Sequence, residues 1–144
     1  MLLFCPMFGV LQPLEVILRL IIGVIYKGKY NMPITEQMIE TCFNIFFTED
    51  QNIDPAVQLG MNRTSARMTI VWFRCLFNGE LYRRTASTMQ VNWILNRLYH
   101  TQDFDRLRNT LNSLNQYCDY YHNKPMPAIR RLVEEFEEIL PDIE

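Results

Sequence analysis

The chain has 144 residues, 49% hydrophobic and 21% charged, with a formal net charge of −2. That length suits one domain, and a domain of this size buries roughly 68% of its unfolded surface, so it needs no disulfide or metal staple. No run of Lys or Arg stands out, which leaves out the electrostatic footprint of a nucleic-acid binder. Five glycines and 12% aromatics fit a packed helical core better than a turn-rich β domain. The expectation is an all-α fold, a single helical domain over residues 1–144 with 1–13 as an irregular N-terminal extension.

Residues 1–25 are apolar enough that a signal peptide must be weighed. A basic start is missing, and Pro6, Gln12, Pro13, Glu15 and Arg19 interrupt the stretch. The longest apolar run, Leu20 to Ile25, is far shorter than the ~20 residues that span a bilayer. A buried helix from Leu14 to Lys29 is expected, ended by Gly28 and Asn31-Met32-Pro33. Residues 1–31 as an upstream extension, with Met32 as a start, is the other reading.

A second helix is expected from Ile34 to Thr48, with Ile34, Met38, Cys42, Phe43, Ile45 and Phe46 as its apolar stripe and Phe47 at the margin. Asp54-Pro55 opens a short third segment that ends near Gly60. Thr64 or Ser65 caps a fourth, carrying Met68, Val71, Trp72, Cys75 and Leu76 and closing at Asn78-Gly79. A fifth, Leu81 to His100, is apolar on two faces: Tyr82, Ala86, Met89 and Trp93 on one, Val91, Ile94, Leu95 and Leu98 on the other. Such a helix belongs at the centre of a bundle. Thr101 caps a sixth, with Phe104, Leu107, Leu111, Leu114, Cys118 and Tyr121 in steps of three and four. That spacing also fits a coiled coil, but it lasts under three heptads. Pro125 and Pro127 open a seventh, with Ile129, Leu132, Val133, Phe136 and Ile139 inward.

The sequence carries no catalytic constellation. Cys5, Cys42, Cys75 and Cys118 form no CxxC pair and favour a reducing compartment. Cys118 and His122 could share a metal, but two ligands fall short of the three or four a site needs. The C-terminal carboxylates, Glu134, Glu135, Glu137, Glu138, Asp142 and Glu144, fit a solvated helix face better than an acid–base pair. No Gly-rich phosphate loop and no nucleophile elbow occur. Asn62-Arg63-Thr64 matches a glycosylation sequon with no secretory signal beside it. No enzyme, cofactor or metal is expected.

One stretch stands out: Leu76-Phe77-Asn78-Gly79-Glu80-Leu81-Tyr82-Arg83-Arg84-Thr85-Ala86-Ser87. Arginine at a helix N-terminus lies on the wrong side of the macrodipole. Arg84 therefore either answers a carboxylate from elsewhere or pairs locally, for instance with Glu80. The stretch resembles the first homology motif of the Bcl-2 family of apoptosis regulators. In that motif Leu-Phe precedes an Asp-Gly turn and then Asn-Trp-Gly-Arg. Leu81 stands for the Asn, Tyr82 for the Trp, Arg83 for the Gly and Arg84 for the Arg, with one residue deleted before Gly79. Glu15–Arg19 and Tyr26–Tyr30 resemble the family's fourth motif, and the last helix sits where the second motif falls.

The resemblance implies a Bcl-2-like bundle of about seven helices around a central apolar one. It also implies a groove that sequesters amphipathic BH3-type helices of pro-apoptotic relatives, and so inhibits apoptosis. Arg84 would meet a ligand aspartate. Trp72, Leu76 and Ala86 would line the floor, Met38, Phe43, Phe46 and Phe47 one wall, and Val57 and Leu59 the rim, with Gly79 at the helix junction. Plain core packing is the other role for these aromatics. Arg83 in place of the motif glycine departs from the pattern. So does a second helix without the Leu-x-x-x-Gly-Asp signature of death-promoting members. With no hydrophobic tail before Glu144, no direct membrane anchor is expected. The location would be cytoplasmic, with recruitment to mitochondria through partners. Short, tail-less versions fit virus-encoded survival homologues. A second copy of the chain is a further candidate partner; nucleic acid is not one. The alternative class is a helical structural or assembly subunit, such as a small capsid-associated or scaffold protein.

Overall fold

The computed structural model describes residues 33–121 and 126–140. The helix expected over Leu14–Lys29, the motif at Glu15–Tyr30, His122 and the final residues 141–144 lie outside these. The described residues from Ile34 onward belong to one compact unit. Among them are six helices and no strand: α1 Glu36–Phe46, α2 Asp54–Gln58, α3 Arg63–Phe77, α4 Thr88–His100, α5 Phe104–Tyr120 and α6 Pro127–Ile139. The all-α expectation holds for these residues.

Local chemistry sets the helix ends, in places at residues other than those expected. The Thr35 hydroxyl accepts the Met38 N–H at 3.2 Å and opens α1. Pro55 sits in the first turn of α2, where its missing N–H leaves nothing unpaired. α3 is capped by Asn62, not by Thr64 or Ser65. The Asn62 Oδ1 accepts the Thr64 N–H at 2.8 Å and the Ser65 N–H at 3.4 Å. Asn is as good an N-cap as Ser. Thr101, expected to cap the next helix, instead closes α4; Asp103 caps α5, accepting the Arg106 N–H at 3.3 Å.

At Asn78-Gly79 the expected stop is present. Gly79 has φ +70°. Its N–H bonds the Leu76 carbonyl at 3.1 Å, and the Glu80 N–H bonds the Cys75 carbonyl at 2.8 Å. That pair of bonds is a Schellman closure, which needs a left-handed residue at the glycine position.

The helix expected from Leu81 does not begin there. Residues 80–87 run as a non-helical strap, and α4 starts only at Thr88. The start is fixed by a capping box: the Ser87 hydroxyl accepts the Gln90 N–H at 3.2 Å, and the Gln90 side chain accepts the Ser87 N–H at 3.0 Å.

Contacts close a ring: α1 on α3, α3 on α5, α5 on α4, α4 on α1. α2 covers the α1–α3 edge and α6 the α4–α5 edge. The shared core holds Ile39 and Cys42 of α1, Phe73 and Leu76 of α3, Ile94, Leu95 and Leu98 of α4, and Leu107 and Leu114 of α5. Tyr99 of α4 meets Phe136 of α6 edge-on, centroids 6.0 Å apart. Truncating a ring such as Phe73 would cost about 3–5 kcal/mol.

This ring corrects the expectation of a central helix at 82–98. α4 buries Val91, Ile94, Leu95 and Leu98, while α3 and α5 each bury seven residues. Thr88, Asn92 and His100 are exposed and Asn96 is half-buried, a polar stripe at four-residue spacing along the whole of α4. Asn96 binds the Asn92 carbonyl along it at 2.8 Å. The second apolar face, Met89 and Trp93, is only half-covered. α4 is an amphipathic wall.

Candidate functional site

Three features of the ring could meet another molecule. The first is aromatic. Phe43 and Phe46 of α1 and the adjoining Phe47 gather with Phe73 and Phe77 of α3. Phe43 lies 5.1 Å from Phe47 and 5.6 Å from Phe73, edge to face in both pairs. Phe43 also meets Trp93 of α4 at 5.4 Å, and Phe47 stacks on Phe77 at 6.2 Å. Two arginines hold the cluster's margins. The Arg97 guanidinium lies 5.3 Å from the Phe43 ring and 5.0 Å from Trp93, tied to Glu40 at 3.1 Å. The Arg106 guanidinium lies 5.0 Å from Phe47 and 5.5 Å from Phe77, tied to Asp103 at 2.6 Å. Such contacts are worth about 0.5–1 kcal/mol each at exposed sites. Phe47 is thus fixed by three rings and a guanidinium, yet 49% of it faces solvent.

The second feature is the strap. A row of side chains along α5 and at Tyr121, just past its end, grips the backbone from the end of α3 into the strap. Asn109 donates to the Phe77 carbonyl at 2.9 Å and Gln116 to the Gly79 carbonyl at 2.8 Å. Ser113 donates to the Glu80 carbonyl and Tyr121 to the Arg83 carbonyl. The Tyr117 hydroxyl accepts the Ala86 N–H at 3.0 Å. Tyr82 is buried beneath; burial pushes its phenol above the ordinary range, and does the same to Tyr117. Arg83, Arg84 and Thr85 are exposed on the outside.

The third is a shallow cleft of about 400 Å³ between residues 51–53 and α3, lined by Gln51, Asn52, Ile53, Arg63, Arg67, Ile70, Val71 and Arg74.

No protein-family model, curated protein or solved structure matches this chain.

The geometry divides the residues expected to form a groove. Phe43, Phe46 and Phe47 come together. Met38, Trp72 and Leu76 do not line an open floor: they are 4%, 2% and 1% exposed. Met38 of α1 and Trp72 and Leu76 of α3 are instead part of the closed core, where α3 packs against both α1 and α5. Val57 and Leu59 are half-buried against the core around α2. Gly79 is used by the helix closure, and Ala86 by the strap, where its N–H is bound to Tyr117.

Arg84 is placed neither on a helix nor beside the aromatic cluster. Its strap neighbours are held by Tyr117 and Tyr121, whereas the cluster is held by Arg106 of the same helix. Eleven residues of α5 separate Arg106 from Tyr117, about 16 Å of helix rise. Leaving the helix also removes the macrodipole conflict. Arg84 pairs neither with Glu80 nor with any other acidic side chain among the described residues.

Other chemistry is sparse. Burial pushes the Cys42 thiol to about 11 and raises Cys75 and Cys118. These are poor nucleophiles at neutral pH. Among the described residues no three His, Cys, Asp or Glu side chains gather as metal ligands, and no helix is long and apolar enough to cross a membrane. Glu134, Glu135, Glu137 and Glu138 are exposed on α6, the solvated face expected.

Sequence reasoning missed the two arginine–aromatic margins, the α5 clamp and the cleft. Arg63, Arg67 and Arg74, at i, i+4 and i+11, lie on one helical face and could have been found by period.

Proposed function

We propose that this domain works by binding an amphipathic helix of another protein. The observation that carries this reading is Phe47: a large aromatic ring, half exposed and held rigid by Phe43, Phe46, Phe77 and Arg106. Rigid aromatics beside arginine are the composition of interface hot spots, and a fixed ring loses little entropy when it is covered.

The more specific version is the Bcl-2-like one, capture of BH3-type helices so as to block cell death. It rests on the resemblance at Leu76–Ser87. In this fold it requires the closed core to open before Trp72, Leu76 and Met38 can meet a ligand, and it requires Arg84 to act from the strap.

Titration of the purified chain with a panel of amphipathic helical peptides, BH3-type sequences included, tests both. Binding weakened at least tenfold by Phe47→Asp supports the general reading; no binding by any peptide overturns it. Arg84→Ala separates the versions. Truncating one partner of a buried interfacial charge pair costs about 2–5 kcal/mol, mostly by stranding the other charge, so the Bcl-2-like version expects a loss of about 30-fold or more. Unchanged affinity in that variant leaves the general reading and removes the specific one.

A further inference from the structure

The cleft beside α3 has an imbalance of charge that the fold does not use. Arg63, Arg67 and Arg74 line it, in a chain whose formal net charge is −2. Arg63 binds Asp54 at 3.2 Å, with both side chains more than half exposed. Among the described residues Arg74 reaches only the neutral Gln51, at 3.4 Å. Arg67 is exposed and meets no acidic side chain among the described residues. Among the described residues three guanidiniums thus pair with one carboxylate.

Spacing gives the imbalance a direction. Arg67 and Arg74 are seven residues apart, two turns, or about 10 Å along α3. Between them lie Ile70 and Val71, which with Ile53 form the apolar floor. Gln51 joins this cleft to the end of α1, since its amide also donates to the Phe46 carbonyl at 3.0 Å. Phe47 is the next residue.

We infer that the cleft takes the acidic face of a partner helix, with carboxylates two turns apart meeting Arg67 and Arg74 and an apolar residue between them meeting Val71. This rests on the helix-binding reading and deepens it: it names the partner's chemistry and moves the charged contact from Arg84 to α3. The cleft is concave, with an apolar floor, which fits a protruding helix better than a flat anionic bilayer. Guanidinium forks match carboxylates two bonds at a time.

The test uses the full chain and three probes. One is a designed helical peptide with glutamates at i and i+7 and leucines at i+3 and i+4. The second is the same peptide with lysines for the glutamates. The third is vesicles of phosphatidylserine in phosphatidylcholine. The acidic peptide is expected to bind, the lysine peptide not. Exposed pairs contribute little singly, about 1.4- to 5-fold each, so the double reversal Arg67→Glu with Arg74→Glu is the informative variant. It should lose about tenfold for the acidic peptide and gain binding of the lysine peptide, a swap that misfolding could not produce. Binding should also weaken as salt rises from about 0.1 M to about 1 M, where screening shortens to about 3 Å. Equal binding of the acidic peptide by native chain and double variant overturns the inference. So does binding of the vesicles, but not the peptide, through these arginines. In either case other amphipathic helices that still depend on Phe47 would keep the helix-binding reading intact; failure of every helix to bind would end both.

Discussion

Gly79→Ala asks whether this glycine serves the fold or a ligand. In a partner-binding role, a glycine admits a close approach from outside. In the structure the space beside Gly79 is already bounded by the chain's own α5: a Cβ would meet the Asn109 carbonyl oxygen at 3.6 Å, ordinary contact with no clash. The penalty is therefore conformational. At φ +70° an L residue is disfavoured by about 1–2 kcal/mol. The unfolded chain of the alanine variant loses less entropy on folding, which returns about 0.4–1 kcal/mol. The net expectation is a loss of about 1 kcal/mol, or about 4 °C in Tm for a domain of this size. Urea unfolding followed by circular dichroism would read it as a midpoint lowered by about 0.5 M at unchanged slope. Helix-peptide affinity of the folded variant should not change. A midpoint at or above that of the native chain would refute the left-handed closure. A loss beyond about 3 kcal/mol would mean that Asn109 lies closer than it does. Weakened peptide binding with stability intact would return Gly79 to the partner surface.

Two further expectations concern the core. The Thr110 hydroxyl is buried without a hydrogen-bond partner among the described residues; a stranded group of this kind costs about 1–3 kcal/mol, so Thr110→Val should raise the urea midpoint by the equivalent of about 1 kcal/mol. Cys42, fully buried, has its thiol pushed up from 9.0 to about 11. A folded-state pKa above the unfolded one gives stability that is complete below about pH 9 and is lost as pH rises toward 11. At about 1.4 kcal/mol per unit this amounts to about 3 kcal/mol. The raised Tyr82 and Tyr117 phenols act in the same direction. Unfolding midpoints measured from pH 8 to pH 11 should fall, and Cys42→Ala should flatten the decline.

Where helices lie was legible from period alone, because Met38, Cys42 and Ile45, or Leu107, Leu111 and Leu114, repeat at helical steps and are buried accordingly. The strap was not. Leu81, Arg83, Arg84 and Ala86 are good helix formers with no Gly or Pro among them, and propensity there points to helix. Tertiary bonds from Ser113, Tyr117 and Tyr121 hold the strap backbone instead, and Asn109 and Gln116 hold the turn that leads into it. Those partners lie 31 to 38 residues away in sequence, beyond any local pattern. The Ser87-x-x-Gln90 capping box is the one local sign of where α4 begins. A second apolar face on α4 misled for a related reason: Met89 and Trp93 are apolar, but their cover is partial and Arg97 lies against Trp93. For the site, Phe43, Phe46 and Phe47 were marked by their type and spacing. That Trp72 and Leu76 would be sealed in the core depended on how closely α3 and its neighbours approach, which spacing within each helix does not fix.

The most direct measurement is a map of the surface that a bound helix touches. Backbone amide shifts of the full chain, followed during titration with an amphipathic helical peptide carrying acidic residues two turns apart, would give it residue by residue. The expected result is a contiguous set of shifts over Phe46–Ile53 and the Arg67–Arg74 face of α3, with residues 83–86 of the strap unmoved. Shifts confined to the strap around Arg84, or none anywhere on the described surface at saturating peptide, would contradict the assignment of helix binding to this face.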